Sequence, residues 1–202
     1  MRPWNDESGD WQSLGSSTQA PRYRAIARII ERFCPEGTVL DVGCGEAVLL
    51  DYLPKEVTYL GLEPSATAAE LARSKHARSA DIRHITGEGF DAGESRWDCV
   101  VFNEVLYYSS APVDLLDKYA NLVNPEGVVV VSIYQKRDKG IRHRLMRWLG
   151  RRQPTSNIDC TKIAHKYMAQ DGWLIEVDES VARPGSAEYW RICAAKPRRQ
   201  VR

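Results

Sequence analysis

The feature that most constrains this chain is a short apolar run that breaks into a glycine turn. Residues Val39–Val42 have the pattern of a buried strand, and Gly43-Cys44-Gly45-Glu46 follows directly. Nucleotide-type ligands bind where a parallel strand ends in such a turn, because glycine lets the backbone approach the ligand closely. The pattern therefore predicts an open α/β sheet with a ligand at the carboxyl end of its first strand.

Charges around the turn narrow the kind of ligand. A loop that binds pyrophosphate presents bare backbone N–H groups and the positive end of a helix. This loop instead carries Asp41 and Glu46, which would repel phosphate, and Val48 replaces the third glycine of the dinucleotide fingerprint. We therefore expect a cationic, phosphate-free cofactor such as S-adenosylmethionine (SAM) rather than NAD.

The remaining sequence predicts alternating strands and helices. Helices are predicted over residues 20–33, 47–53, 66–75, 112–123 and 158–169. Strands are predicted over residues 38–42, 57–62, 81–85, 98–102, 128–133, 173–177 and 189–195. This alternation predicts an α/β fold with a Rossmann-like, doubly wound sheet of seven strands. The sheet is expected to be mostly parallel, with the last two strands forming a hairpin at its edge, so that the C-terminal strand is antiparallel.

Length and composition predict one domain over residues 1–202. The formal net charge of +1 gives no global attraction for nucleic acid or membranes. The five cysteines form no Cys-x-x-Cys pair, which favours buried thiols in a reducing compartment. With neither a signal-peptide pattern nor an apolar run of roughly 20 residues, the sequence predicts a cytoplasmic protein. Residues 1–19 are polar and are expected to form a flexible arm or a lid.

Acidic residues follow several of the predicted strands. In an open α/β sheet the ligand lies beyond the carboxyl ends of the strands, where the strand order reverses. Glu63 ends the second strand, and an acid there can accept hydrogen bonds from both hydroxyls of a ribose. Gly87-Glu88-Gly89 offers a carboxylate for an adenine amino group, and Asn103-Glu104 ends the fourth strand near the expected methionine end. Each feature alone is commonly a turn or a cap, but their order and spacing together predict a SAM site.

In these residues the chain resembles the class I SAM-dependent methyltransferases. The segment Asp41–Ala47 matches the family's first motif, and Glu104-Val105-Leu106-Tyr107-Tyr108 is similar to the nodulation-protein-S-like branch and related methyltransferases of sugars and secondary metabolites. The resemblance implies that the following residues bind the cofactor: Asp41, Gly43, Cys44, Gly45, Glu63, Pro64, Glu88, Gly89, Asn103 and Glu104. Ala47 departs from the family pattern, because a third glycine is frequent there.

Candidates for catalysis are chosen by location. Tyr107 and Tyr108 follow the fourth strand beside the expected methyl group, where many relatives place a histidine, and His143 lies in a segment that could cover the pocket. The alternative for the two tyrosines is that they pack in the wall of the pocket and transfer no proton.

No cluster of Asp or Asn oxygens follows the fourth strand, so no metal is expected. The Pro-Pro-aromatic turn of the methyltransferases that modify nucleic acid bases is replaced by Val105-Leu106, which disfavours that subclass.

A basic insert is predicted near the acceptor site, over residues 135–157. Its segment from Lys136 to Arg152 holds eight Lys or Arg residues and one Asp, a local charge of +7 that leaves about −6 for the rest of the chain. The insert is interpreted either as a solvated helix packed on the domain or as a cover, through residues such as Arg142, for an anionic acceptor such as a phosphorylated or lipid-linked sugar. Docking to a membrane surface and docking to RNA are the other interpretations.

On the N-terminal side, Trp11, Arg22, Tyr23 and Arg24 could close over the cofactor's carboxylate or over the acceptor, although arginines on helix surfaces are usually just solvated. The sequence thus predicts metal-free methyl transfer to an O or N atom of a small molecule or glycan, with nucleic acid not expected as a partner. The alternatives are an RNA or protein methyltransferase that docks through the insert, and a silent partner subunit with the same fold.

Overall fold

The computed structural model describes residues 15–76, 80–136 and 157–198. Three of the predicted site residues, Trp11, Arg142 and His143, lie outside the described residues. So do most of the N-terminal arm and most of the basic insert.

Seven strands form one sheet. They are β1 (Thr38–Val42), β2 (Thr58–Glu63), β3 (Ala80–His84), β4 (Trp97–Asn103), β5 (Val123–Lys136), β6 (Trp173–Ala182) and β7 (Glu188–Pro197). The strand order is β3-β2-β1-β4-β5-β7-β6. Neighbours among β1–β5 are parallel, and β7 is antiparallel to both β5 and β6. This topology confirms the predicted α/β sheet, including its antiparallel C-terminal strand.

Among the described residues, four α-helices cover the two faces of the sheet. They are α1 (Ala20–Phe33), α2 (Ala66–His76), α3 (Pro112–Ala120) and α4 (Asn157–Met168). The apolar residues of α1 recur at helical spacing, so Ile26 and Ile30 pack with Val39 on one face of the sheet. Leu116 of α3 and Met168 of α4 pack on the opposite face. The strand order reverses between β1 and β4, which places a ligand crevice at the carboxyl ends of these two strands.

The predicted helix over residues 47–53 is wrong in kind and length. The structure has a single 3-10 turn there, Val48–Tyr52. Ala47 precedes it in a left-handed conformation with φ of 55°, and Pro54 follows it closely. These two residues leave too few positions between them to nucleate an α-helix.

The fifth strand is much longer than predicted. It begins at Val123 and includes the segment Asn124–Gly127, which lies between the predicted helix over residues 112–123 and the predicted strand over residues 128–133. Val123 pairs with Trp97 and Val128 pairs with Cys99, so the intervening residues form an irregular bulge within the strand. At its other end β5 pairs with β7 as far as Lys136, beyond the end of β4.

No helix among the described residues is both long and apolar enough to cross a bilayer.

Candidate active site

The glycine turn after β1 has three left-handed residues at alternate positions. The φ angles are 74° at Gly43, 58° at Gly45 and 55° at Ala47. The N–H groups of Gly43 and Cys44 both donate to the carbonyl oxygen of Leu62, at 2.7 and 3.0 Å. The predicted turn is therefore fastened to the end of β2 at the carboxyl edge of the sheet.

Gly43 also lies against the segment that follows β4. A Cβ atom at this position would come within 2.4 Å of Cγ2 of Val105. The first predicted motif and the segment that follows β4 are therefore closely packed at Gly43.

Glu63 connects the glycine turn to the loop that follows β2. Its side chain is buried, with Oε2 accepting from the N–H of Gly45 at 2.7 Å and Oε1 from the N–H of Ser65 at 2.8 Å. Each carboxylate oxygen has a second lone pair that can accept a further hydrogen bond. Pro64 follows directly, and its carbonyl oxygen lies 3.0 Å from Nε2 of His84. Glu63 thus ties the glycine turn to the loop after β2, and its predicted ribose role stays a prediction.

Asp41 lies beneath the turn rather than on its surface. Its Oδ2 accepts from the hydroxyl of Tyr59 at 2.7 Å, and Oδ1 has no hydrogen-bond partner among the described residues. Burial raises the pKa of the Asp41 carboxyl to about 7. Burial also raises the pKa of the Cys44 thiol well above its ordinary value, with the nearby Asp41 and Glu63 carboxylates adding to the effect.

The loop that follows β3 is held by α3. Lys118 donates to the carbonyl oxygens of Gly87 and Glu88, at 3.0 and 2.8 Å. The carboxylate of Glu88 accepts from the hydroxyl of Ser109 at 3.0 Å, and the N–H of Gly89 donates to the carbonyl oxygen of Thr86. The predicted adenine-side acid therefore lies beside the segment that follows β4.

Glu104, directly after β4, has a strained backbone and a largely buried carboxylate. Its φ is 66°, which is uncommon for a residue other than glycine, and its side chain is 15% exposed. Oε2 accepts from the hydroxyl of Tyr107 at 2.9 Å, and Oε1 accepts from the hydroxyl of Ser132 at 3.3 Å. Burial raises the pKa of Glu104 to about 7. The neighbouring Asn103 has a buried Oδ1 with no hydrogen-bond partner among the described residues.

Arg22 of α1 faces Glu104 from the other side of the crevice. Its side chain is 4% exposed, and Nη1 lies 3.7 Å from Oε2 of Glu104. The guanidinium lies over the rings of Tyr23 and Trp190, at 4.6 and 5.3 Å from their centroids. Its Nε has no hydrogen-bond partner among the described residues. A buried cation and a largely buried anion thus lie together at the end of β4.

The burial of Arg22 was not expected, because arginines on helix surfaces are usually solvated. Its spacing from the apolar residues of α1 nevertheless indicated burial. Arg22 lies four residues before Ile26 and eight before Ile30, which places it on the buried face of α1. Tyr23, predicted to bind the acceptor, is also buried, and its ring stacks on Tyr52 with centroids 5.5 Å apart.

The two tyrosines predicted for catalysis occupy a 3-10 turn, Leu106–Tyr108, and differ in environment. Their ring centroids are 4.7 Å apart. Burial raises the pKa of Tyr107 well above its ordinary value, and its hydroxyl already donates to Glu104. Tyr108 is 48% exposed. Tyr107 is therefore anchored in the site, whereas Tyr108 offers an open aromatic surface at its rim.

In the part of the chain that the structure describes, no three His, Cys, Asp or Glu side chains are grouped to hold a metal ion. All five cysteines are free thiols.

Comparison with known sequences supports the resemblance seen in the motifs. The sequence model of the family described as "Methyltransferase domain" matches residues 18–163. A relative named "Ubiquinone biosynthesis O-methyltransferase", from Rhodopseudomonas palustris (strain TIE-1), is 32% identical over 129 residues, which are 58% of this chain and 51% of the relative. The relative of the same name from Bradyrhizobium sp. (strain ORS 278) is 27% identical over 165 residues, covering 76% and 65%. The chain spans about half the length of most of the curated relatives it matches.

Solved structures share the fold. The N-methyltransferase NodS from Bradyrhizobium japonicum WM9, in complex with S-adenosylhomocysteine (SAH), superposes with a TM-score of 0.71 at 15% identity, covering 96% of this chain and 94% of NodS. The plantazolicin methyltransferase BpumL in complex with SAH gives a TM-score of 0.65 at 12% identity, covering 96% and 91%. At these identities the similarity is evidence of the fold. Because the family model covers well over half of its residues, this chain belongs to the methyltransferase-domain family, as its motifs predicted.

Proposed function

We propose that this protein is a SAM-dependent methyltransferase that methylates an O or N atom of a small-molecule or glycan acceptor without a metal. The observation that carries the proposal is the pairing of buried Arg22 with the largely buried Glu104 at the carboxyl edge, beside the glycine turn. The names of its relatives, which are O- and N-methyltransferases, and the SAH bound in related folds support it.

The Arg22–Glu104 pair matches the amino-acid end of SAM. That end carries an α-carboxylate and an α-ammonium group, so it needs a cation and an anion side by side. The 3.7 Å separation exceeds an ordinary hydrogen bond, which leaves both groups able to bind a ligand. A buried ion pair is costly to desolvate, and a zwitterion that pairs with both members offsets that cost. Arg22 would bind the carboxylate and Glu104 the ammonium.

The other end of the crevice suits the adenosine. The carboxylate of Glu63 would accept the ribose hydroxyls, and Glu88 would accept from the adenine amino group. Asp41, Glu63 and Glu104 lie around the same turn, so their electrostatic field favours a ligand with a positive sulfonium and disfavours one with phosphates.

Methyl transfer from SAM is an in-line displacement. A lone pair of the acceptor forms a bond to the methyl carbon while the carbon–sulfur bond breaks, which releases neutral SAH and, from a hydroxyl or ammonium acceptor, one proton. Positioning of the two reactants contributes roughly 7–11 kcal/mol when the geometry is near-attack. We assign positioning of Glu104 to Tyr107 and contact with the acceptor to Tyr108. A role for His143, outside the described residues, stays a prediction.

The experiment that tests the proposal compares two arginines of α1. Arg22→Ala should weaken SAH binding at least tenfold in calorimetric titration, because a charged hydrogen bond contributes about 1.5–3 kcal/mol. Arg28→Ala is the matched control, since it removes the same charge from the same helix at a side chain that is 69% exposed. Its SAH affinity should equal that of the unmodified protein.

Equal SAH affinity in the Arg22→Ala variant would contradict the proposed role of the pair, provided that circular dichroism shows a folded protein. Glu104→Gln provides a second approach from the opposite charge. It should weaken binding of SAH, which has an α-ammonium group, but should leave the affinity for 5′-methylthioadenosine, which lacks the amino-acid end, unchanged.

A further inference from the structure

A cavity of about 350 Å³ opens between α4 and the ends of β5 and β7, apart from the cofactor crevice. Gln135 of β5 pairs with Tyr189 of β7 at its floor, and the amide of Gln135 donates to the hydroxyl of Thr161 of α4 at 2.6 Å. A volume of this size is large enough for a small-molecule ligand.

Every side chain that lines this cavity carries an N–H or O–H donor, and none is a carboxylate. Gln135, Thr161 and Tyr189 supply neutral donors. The other four side chains are basic: Lys162, His165, Lys166 and Arg191. A surface composed in this way complements an anion with several acceptor oxygens.

The positive charge of the cavity is only partly compensated. Asp178 of β6 forms an ion pair with Arg191, and it lies 3.5 Å from Nε2 of His165. Lys162 and Lys166 form no ion pair with any side chain that the structure describes. Both are exposed at the mouth of the cavity. Two cationic groups therefore face the cavity without a described counter-ion.

The cavity lies beyond the carboxyl end of β4, next to α4. Ser132, which bonds to Glu104, pairs with the last residue of β4, and Gln135 is three residues further along β5. At about 3.3 Å per residue, the cavity is on the order of 10 Å beyond the end of β4. Leu106, at the start of the turn that contains Tyr108, shares a packed cluster with Cys160 of α4. A small molecule at Tyr108 could thus extend into the cavity.

We propose that this cavity binds a phosphate group carried by the methyl acceptor, so that the acceptor is a phosphorylated small molecule. A phosphate at neutral pH carries nearly two negative charges and three strong acceptor oxygens, which match two uncompensated lysines and several neutral donors better than a carboxylate does. That the phosphate belongs to a methyl acceptor rests on the proposed function. The anion-binding chemistry of the cavity depends only on the residues that line it.

Calorimetric titration with inorganic pyrophosphate tests the cavity directly. The unmodified protein should bind pyrophosphate, and the double variant Lys162→Ala/Lys166→Ala should bind it at least tenfold more weakly. The double variant Lys55→Ala/Arg96→Ala is the matched control, because it removes two positive charges from exposed positions elsewhere and should bind as the unmodified protein does. Absence of binding, or equal weakening in both double variants, would overturn the proposal.

Two further arms identify where the phosphate comes from. Methyl transfer from labelled SAM into a small-molecule extract should fall at least tenfold after phosphatase treatment of the extract. Transfer that is unchanged by phosphatase would overturn an acceptor-borne phosphate. Sedimentation with phosphatidylglycerol vesicles tests a lipid headgroup, and vesicle binding that only the lysine variant loses would likewise contradict the proposal. SAH titration of the same proteins keeps failure of the proposed function distinguishable, because cofactor binding should be equal in all of them.

Discussion

Gly43 combines a left-handed backbone with close contact to Val105, and both features require glycine. A substitution there must strain the backbone and also displace the segment after β4. Gly93 has a similar φ, 56°, but a Cβ atom there would meet nothing within 4 Å. Substitutions at the two glycines thus separate the free-energy cost of backbone strain from the cost of the close contact with Val105.

We expect Gly43→Ala to abolish SAH binding or weaken it more than tenfold, and to destabilise the protein by clearly more than Gly93→Ala does. The Gly93 substitution should cost about 1–2 kcal/mol through backbone strain alone and should leave SAH affinity unchanged. Urea unfolding and calorimetry measure the two effects. Equal destabilisation of both variants would show that the Val105 contact is absent.

Glu104 gives cofactor binding a defined pH dependence. Its pKa is raised by burial to about 7, and the proposed ammonium ligand requires the ionised carboxylate. Binding therefore competes with protonation below this pKa, so SAH affinity should rise by about tenfold between pH 6 and pH 8. Calorimetry of Glu104→Gln at the same two pH values should show a smaller change, because the titrating group is removed. An affinity that falls with rising pH would contradict the assignment.

At the residue scale the sequence predicted where the acids lie but not their partners. The positions of Glu63 and Glu104 were predictable because the first ends a strand and the second directly follows one in an α/β pattern. The contact between Arg22 and Glu104 was not, because it joins residues distant in the chain whose approach depends on how α1 packs across the sheet. The local sequence does not distinguish a buried arginine from an exposed one. The two are distinguished only by whether the arginine falls at the spacing of the apolar face of its helix.

At the scale of elements, the turn after β1 is followed by a 3-10 turn where the sequence predicted a helix. Ala47 occupies a left-handed position where a glycine would be unstrained, and only a 3-10 turn follows it. The prediction of a helix from residue 47 was wrong because local propensity carries no information about that φ angle. The β5 prediction was too short for a related reason. Asn124 and Gly127 are strong turn signals, but Asn124 donates to Oδ1 of Asp98 at 2.7 Å and the segment stays within the sheet as a bulge.

Ala47→Gly should be close to neutral for stability, within about 0.5 kcal/mol. Relief of the left-handed strain contributes about 1–2 kcal/mol, and it offsets the loss of a buried methyl group and the greater freedom of glycine in the unfolded chain. Ala69→Gly is the matched control, since Ala69 is equally buried but lies in α2. It should destabilise by about 1.5–2 kcal/mol in urea unfolding. A similar loss in both variants would contradict strain at Ala47.

At the scale of the whole molecule, alternation of strands and helices was enough to predict the sheet and the edge at which the site lies. In the structure β7 lies between β5 and β6, because it forms the hairpin with β6 and also pairs antiparallel with β5. The donor-lined cavity was not predictable, because it takes residues from β5, α4 and β7 that only the tertiary fold brings together. In sequence, its residues Gln135 and Thr161 flank the segment predicted as a basic insert.

The most direct test of the central claim is calorimetric titration of the purified protein with SAH, with NAD titrated in parallel. The arrangement of Glu63, Arg22 and Glu104 around a turn rich in acids predicts micromolar binding of SAH and no binding of NAD. Absence of SAH binding, or binding of NAD with equal affinity, would contradict the account of this site as one built for a cationic, phosphate-free cofactor.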